Sequence, residues 1–217
     1  MQDMNKKPLP AQRAGYQRAK RVLDVVMSLL ALVLLLPVML LISLMVFLQD
    51  GGSPLYLQER LGRGGKRIRI WKFRSMVREA DKMLHRLTKE QRAQYQAEFK
   101  IDNDPRVTRL GAFLRRTSLD ELPQLVNILA GDMSLVGPRP IVPEETRCYT
   151  REELTLFHSV QPGLTGYWQT CAGPQDTYTT GGRQKMELHY AAHTTMGFDL
   201  LLICKTFSAV IRKARNG

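Results

Sequence analysis

Between Val25 and Leu48 lie 24 residues without a charge, and only Ser28, Pro37 and Ser43 interrupt the apolar side chains. An unbroken helix of that length would reach roughly 36 Å, more than the ~30 Å hydrocarbon core of a bilayer, so the run predicts a membrane helix. Pro37 sits at its middle. Proline has no N–H to donate and its ring clashes with the carbonyl four residues back, so a kink is expected there, with Leu36 pushed toward extended backbone. Beyond Gly51, Gly52 and Pro54 the pattern shortens. Leu55 to Gln58 and Ile68 to Phe73 flank the basic turn Gly62-Arg63-Gly64-Gly65-Lys66 and predict a β-hairpin. Ser75 to about Phe99 is polar and rich in helix formers, with Met76, Met83, Leu84 and Leu87 as a thin apolar stripe. Short helices and proline-broken loops follow. Near the end, Phe198, Leu201, Leu202, Phe207, Val210 and Ile211 precede Arg212, Lys213 and Arg215. That pattern fits an interfacial amphipathic helix or, equally, an ordinary packing helix with cations at its negative end.

Charge decides how the apolar run sits. Lys6, Lys7, Arg13, Arg18, Lys20 and Arg21 precede it; Arg60, Arg63, Lys66, Arg67, Arg69, Lys72 and Arg74 follow it. Short-loop Lys and Arg mark the cytoplasmic side, so a hairpin that enters one leaflet, turns at Pro37 and returns satisfies both flanks. This re-entrant reading is preferred to a kinked single span, which neighbouring groups could also support. A cleaved signal peptide fits worse, because the run is long and no small-residue cleavage site follows it. The net charge is +12, and residues 1 to 74 carry 13 Lys/Arg against 4 Asp/Glu. Such basicity suits anionic headgroups, at about 1 kcal/mol per residue near the surface, or a phosphate-bearing substrate. Nucleic acid is not expected as a partner, since no recognised binding module accompanies the charge. Cys148, Cys171 and Cys204 are scattered and odd in number, which implies a reducing compartment and no thiolate metal site. The expected organisation is a polar cytosolic tail over 1–20 that frays, a membrane hairpin over 21–49 and a domain over 50–217.

The chemistry concentrates where Arg115-Arg116-Thr117-Ser118-Leu119-Asp120-Glu121-Leu122-Pro123-Gln124-Leu125 is followed by Gly131-Asp132-Met133-Ser134 and Gly137-Pro138-Arg139-Pro140. Ser118 with Glu121 matches a capping box, which would put Asp120 and Glu121 at a helix start; Pro123 favours a slightly later start. An ionised aspartate can attack phosphorus, but only if cations such as Arg115, Arg116 and Arg139 offset the phosphate charge. Mg²⁺ on Glu121, a hard oxygen ligand, could supply more. The plainer alternative is an acidic pair that caps a helix and bridges to nearby arginines.

In this setting the chain resembles the monotopic phosphoglycosyl transferases, also called bacterial sugar transferases. The likeness runs from Arg18 to about Phe207. It rests on Lys20-Arg21-Val22-Leu23-Asp24, Lys72-Phe73-Arg74-Ser75-Met76, Asp104-Pro105-Arg106-Val107-Thr108, the Arg116 to Leu125 stretch, Gly131 to Pro140, and Pro162-Gly163-Leu164-Thr165-Gly166, all in order. The resemblance implies transfer of a sugar 1-phosphate from a UDP-sugar to undecaprenyl (polyprenyl) phosphate with release of UMP, which initiates exopolysaccharide or O-antigen assembly. It implies that Asp120 forms a covalent phosphosugar intermediate and that Glu121 is associated with Mg²⁺. Lys72, Arg74, Arg115, Pro138 and Arg139 carry over as substrate contacts. The implied fold is α+β and mostly helical: a re-entrant helix-break-helix, set in membrane phospholipid, anchors a small cytosolic catalytic domain with a short β-hairpin and interfacial amphipathic helices. The implied location is the cytosolic face of the bacterial inner membrane, and a homodimer is compatible with it. Leu36 stands where some relatives place a serine before the hairpin proline. The polar stretch Val77 to Asn103 resembles the branch that uses hexose 1-phosphates such as galactose or glucose; larger members carry further N-terminal membrane helices, which this chain is expected to lack. The sugar itself is not legible. A tethered adaptor without catalysis and a lipid diphosphate hydrolase remain as alternatives.

Overall fold

A computed structural model of the chain describes residues 14–216, apart from the side chains of Asp81, Leu84, Arg86 and residues 212–216. The apolar run lies within one helix, α1 (Ala14–Asp50), which continues through Pro37. The expected local break is therefore not present: Leu36 and Pro37 are both helical. Loss of one backbone hydrogen bond is a local cost, and contacts on both sides of Pro37 hold the two halves in helical form. The helix also begins at Ala14, so residues 14–20 are helical, while the rest of the predicted tail, 1–13, lies outside the described residues.

One narrow face of α1 packs inward. Asp24, Ser28, Ile42 and Val46 are buried at helical spacing. Ala31 and Leu32 lie against Ile70, Leu125, Ile128 and Met133; Met39, Ile42 and Val46 lie against Phe73 and Leu114. The other faces are bare, with Leu34 78% and Val33 69% exposed. The first turns are pinned by a buried carboxylate: Asp199 accepts from Lys20 Nζ at 2.8 Å, Tyr16 Oη at 2.8 Å and Tyr190 Oη at 2.6 Å.

The hairpin is as predicted and longer. Strands β1 (Leu55–Leu61) and β2 (Arg67–Phe73) pair antiparallel from Leu55↔Phe73 to Leu61↔Arg67. Their turn has Gly64 and Gly65 at φ of 69° and 71°, the left-handed region where glycine is at no steric disadvantage. The single helix anticipated over 75–99 is instead a 3₁₀ segment (Ala80–Arg86) followed by α2 (Lys89–Glu98). Thr88 causes the division, because its side chain accepts from Gln91 N while Gln91 Oε1 accepts from Thr88 N, a complete capping box.

The remainder comprises α3 (Arg109–Thr117), α4 (Gln124–Ala130), β3 (Ser134–Val136), α5 (Arg151–Phe157), β4 (Gly163–Thr165), α6 (Tyr167–Cys171), α7 (Gly182–Ala192) and α8 (Met196–Asn216). Strands β3 and β4 form a short parallel pair. On α8, Leu202 is buried with Val136 and Tyr190, whereas Leu201, Phe207 and Ile211 are exposed. The side chains of Arg212, Lys213 and Arg215 lie outside the described residues. All three cysteines are free thiols.

Candidate active site

Strand alternation carries Lys72 to the site. Ile70 and Lys72 share one face of β2, and Ile70 is packed on Leu125 and Ile128 of α4, so the next side chain on that face meets the segment before α4. There Lys72 Nζ donates to Glu121 Oε1 at 3.2 Å, and Arg139 Nη1 donates to the same oxygen at 3.3 Å. Asn127 locks strand to helix: its Oδ1 accepts Trp71 N–H at 2.9 Å and its Nδ2 donates to the Arg69 carbonyl at 2.8 Å.

Asp120 and Glu121 stand in a 3₁₀ turn, Leu119–Glu121, between α3 and α4. The anticipated Ser118–Glu121 capping box does not form. Ser118 is left-handed at φ 58°, ends α3 and makes no side-chain cap; an N-cap residue needs extended backbone instead. As Pro123 suggested, the helix starts later, at Gln124. Asp120 is only 8% exposed, and its charge acts on Lys72, Arg115 and Arg139. Arg115 Nε is fixed on Ser75 Oγ at 2.8 Å. Burial holds the Lys72 pKa below its ordinary value, although Glu121 opposes it. For Arg139 burial also works against the charge, yet Glu121 and Glu145 outweigh it and raise the pKa.

Backbone contact builds the Gly137-Pro138-Arg139-Pro140 ledge. Gly137 N–H donates to the Thr165 carbonyl at 2.9 Å, and Gly163 N–H donates to the Pro138 carbonyl at 2.8 Å. Pro138 is fully buried beneath the ledge and Arg139 projects from it. Together Arg60, Lys72, Glu121, Gln124 and Arg139 line a cleft against Gly163 and Leu164. Arg74 lies elsewhere: Nη1 and Nη2 each reach an Asp50 carboxylate oxygen at 2.6 Å and Nε reaches the Ser53 carbonyl at 2.8 Å, which clamps the end of α1.

Behind the ledge, Arg139 N–H donates to Glu187 Oε1 at 3.2 Å, and burial raises this wholly buried carboxyl to a pKa of about 7 from an ordinary 4.5, against the lowering effect of Arg183. Between those values the folded chain binds more protons than the unfolded one. The stabilisation is therefore full below about pH 4.5, is lost as pH rises through 7, and amounts to about 3 kcal/mol. The melting temperature of the wild type should fall between about pH 5.5 and about pH 8, and that of Glu187→Gln should fall less, because the amide stays neutral. Equal slopes would refute the assignment.

Sequence reading overlooked Arg60, Asn127, Glu145 and Glu187. Arg60 had a signal: it pairs with Ile68, which shares the Ile70 and Lys72 face of the hairpin. The other three are reached only through tertiary contacts.

Cations converging on a carboxylate pair beside a membrane-type helix suit ligands that carry phosphate. The chain belongs to the bacterial sugar transferase family, whose model matches residues 15–213. It is 40% identical over 195 residues to the exopolysaccharide production protein ExoY of Rhizobium meliloti, covering 88% of this chain and 85% of that protein. It is also 40% identical to the undecaprenyl-phosphate galactose phosphotransferase of Salmonella typhimurium over 197 residues, and to the UDP-glucose:undecaprenyl-phosphate glucose-1-phosphate transferase of Escherichia coli over 202 residues. These matches cover 89% and 90% of this chain but only 40% and 41% of those proteins.

Proposed function

We propose that the protein transfers a hexose 1-phosphate from a UDP-sugar to undecaprenyl phosphate at the cytosolic face of the bacterial inner membrane. The observation that carries this reading is Asp120, buried beside Glu121, on which Lys72 and Arg139 converge, with its charge acting on both cations. An Asp120 carboxylate oxygen attacks the sugar-bearing phosphorus, the bond from that phosphorus to the bridging oxygen breaks, and UMP leaves with the electron pair. A lipid phosphate oxygen then attacks the aspartyl phosphosugar, forming the lipid-linked diphosphate and regenerating the carboxylate. Lys72, Arg115 and Arg139 offset the charge that builds on the phosphoryl oxygens.

Mg²⁺ fits the site in one way. No group of three or more His, Cys, Asp or Glu side chains that could hold a metal occurs among the described residues. Glu121, whose Oε1 takes Lys72 and Arg139, is the hard oxygen ligand that would hold the ion, and Mg²⁺ commonly takes such a ligand alongside substrate phosphate. Bound there, the ion would neutralise diphosphate charge.

The re-entrant topology is supported by where α1 is held. Arg21 donates to the Ile128 and Leu129 carbonyls and Asp24 accepts from Ser134 and Leu135, while Asp50 at the far end pairs with Arg74 of the same domain. Pro37 lies on the exposed side, opposite the packing face, so a bend at this proline would carry both ends toward the domain. Replacing Pro37 by alanine should straighten the helix and move the N-terminus across the bilayer. Labelling of a cysteine introduced at Asn5 from either side checks this, and an unchanged cytosolic location counts against proline control.

The function is tested by incubating the protein with undecaprenyl phosphate and a panel of labelled UDP-sugars while reading UMP and lipid-linked product. An adaptor gives neither, a hydrolase gives inorganic phosphate, and a transferase gives both products in equal amounts.

A further inference from the structure

The cleft contains a third cation whose surroundings point to a ligand. Arg60 lies on β1, on the face it shares with Lys72, and its side chain is 11% exposed. From behind it is fixed by protein: Nη1 donates to Glu145 Oε1 at 3.0 Å and Nη2 to Gln58 Oε1 at 2.9 Å. Its Nε–H is buried and has no acceptor among the described residues. A buried donor without a partner is costly, and most such groups are satisfied by a ligand or water.

Two facts argue against a purely structural role. First, Glu145 does not depend on Arg60 for compensation. It also takes Arg183 Nη2 at 3.2 Å, the Tyr178 hydroxyl and the Val142 N–H at 3.0 Å. Second, Arg60 stands close enough to Arg139 for the two charges to oppose each other. Arg60, Lys72 and Arg139 all line the cleft, so a diphosphate entering it would meet three cations.

We propose that Arg60 binds the donor diphosphate through Nε–H and that Glu145 is the residue that positions it. This rests on the transferase reading given above. Arg60→Met keeps length without charge; Arg60→Lys keeps charge without the planar Nε donor. In the full chain in lipid nanodiscs, R60M should raise the KM for the UDP-sugar at least about tenfold, the loss expected for a hydrogen bond to a charged group. The KM for undecaprenyl phosphate should stay within about twofold, and R60K should fall between R60M and wild type. A structural role would instead lower the melting temperature and impair both substrates alike.

If wild type turns over and R60M keeps its donor KM, the Arg60 assignment is overturned and the transferase reading stands. If wild type uses no UDP-sugar, both fall together. Should R60M fail to fold, R60K decides, since it keeps a cation beside Glu145: an unchanged donor KM in R60K overturns the proposal.

Discussion

Exchange of Asp120 for asparagine should reduce formation of lipid-linked product by about 1,000-fold or more while leaving the fold intact. Asparagine has the shape of aspartate and keeps one acceptor oxygen, so the packing of this buried side chain is preserved. It lacks the negative charge and electron pair that attack phosphorus. Alanine in the same place should be as inactive, but it leaves a small void. Two measurements separate the nucleophile from a supporting role. Rapid mixing with UDP-sugar in the absence of lipid should yield stoichiometric UMP from the wild type and none from Asp120→Asn. Mass spectrometry of the trapped wild type should place one hexosyl phosphate on Asp120. Substantial turnover by the asparagine variant, or an adduct on another residue, would remove Asp120 from the role. Glu121→Gln should behave differently: the fold survives, but Lys72 and Arg139 lose the charge on which both converge.

A similarly large effect, on stability rather than chemistry, is expected at Gly137. A Cβ there would stand 2.2 Å from the Gln161 carbonyl oxygen and 2.7 Å from Gly163 N, both backbone atoms of the paired segment. No rotamer change can relieve such contacts. The β3–β4 pair must separate, and the ledge that carries Arg139 moves with it. Gly137→Ala should therefore cost about 4 kcal/mol or more, or about 10 °C in melting temperature for a domain of this size. Gly197→Ala is the internal control. It lies within α8 with nothing near its missing Cβ, so alanine there should be neutral or stabilising by up to about 1 kcal/mol. A melting temperature for Gly137→Ala equal to that of the wild type would show that the two segments do not pack as described.

The contrast between these two glycines shows where local pattern stops being informative. Both are plain glycines in sequence, and only the arrival of Gln161 and Gly163 makes one irreplaceable. The same holds for the carboxylates. The Asp120-Glu121 pair announces itself by its arginine-rich setting, whereas Glu145 and Glu187 look like surface acids on polar helices. They are 2% and 0% exposed because Arg60, Arg183 and Arg139 meet them from distant segments. Arg74 shows the reverse error. Its place in Lys72-Phe73-Arg74 suggested a phosphate contact, but β2 ends at Phe73, and Arg74, just past the strand, is taken by Asp50 at the end of α1.

Local pattern was sufficient wherever the deciding interactions run between near neighbours in the chain. The apolar helix, the hairpin with its glycine turn and the later start of α4 after Pro123 all follow from periodicity and backbone preference. The arginine-rich setting of Asp120-Glu121 is local too, because Arg115 and Arg116 lie in the same short stretch, whereas Lys72 and Arg139 reach Glu121 from 49 and 18 residues away. The tertiary structure alone decided three matters: that Pro37 remains within a helix, that Ser118 takes a left-handed turn instead of a cap, and that Arg60 joins Lys72 and Arg139 at one cleft. The helix through Pro37 and the cleft depend on contacts between segments tens of residues apart, which a linear pattern does not express.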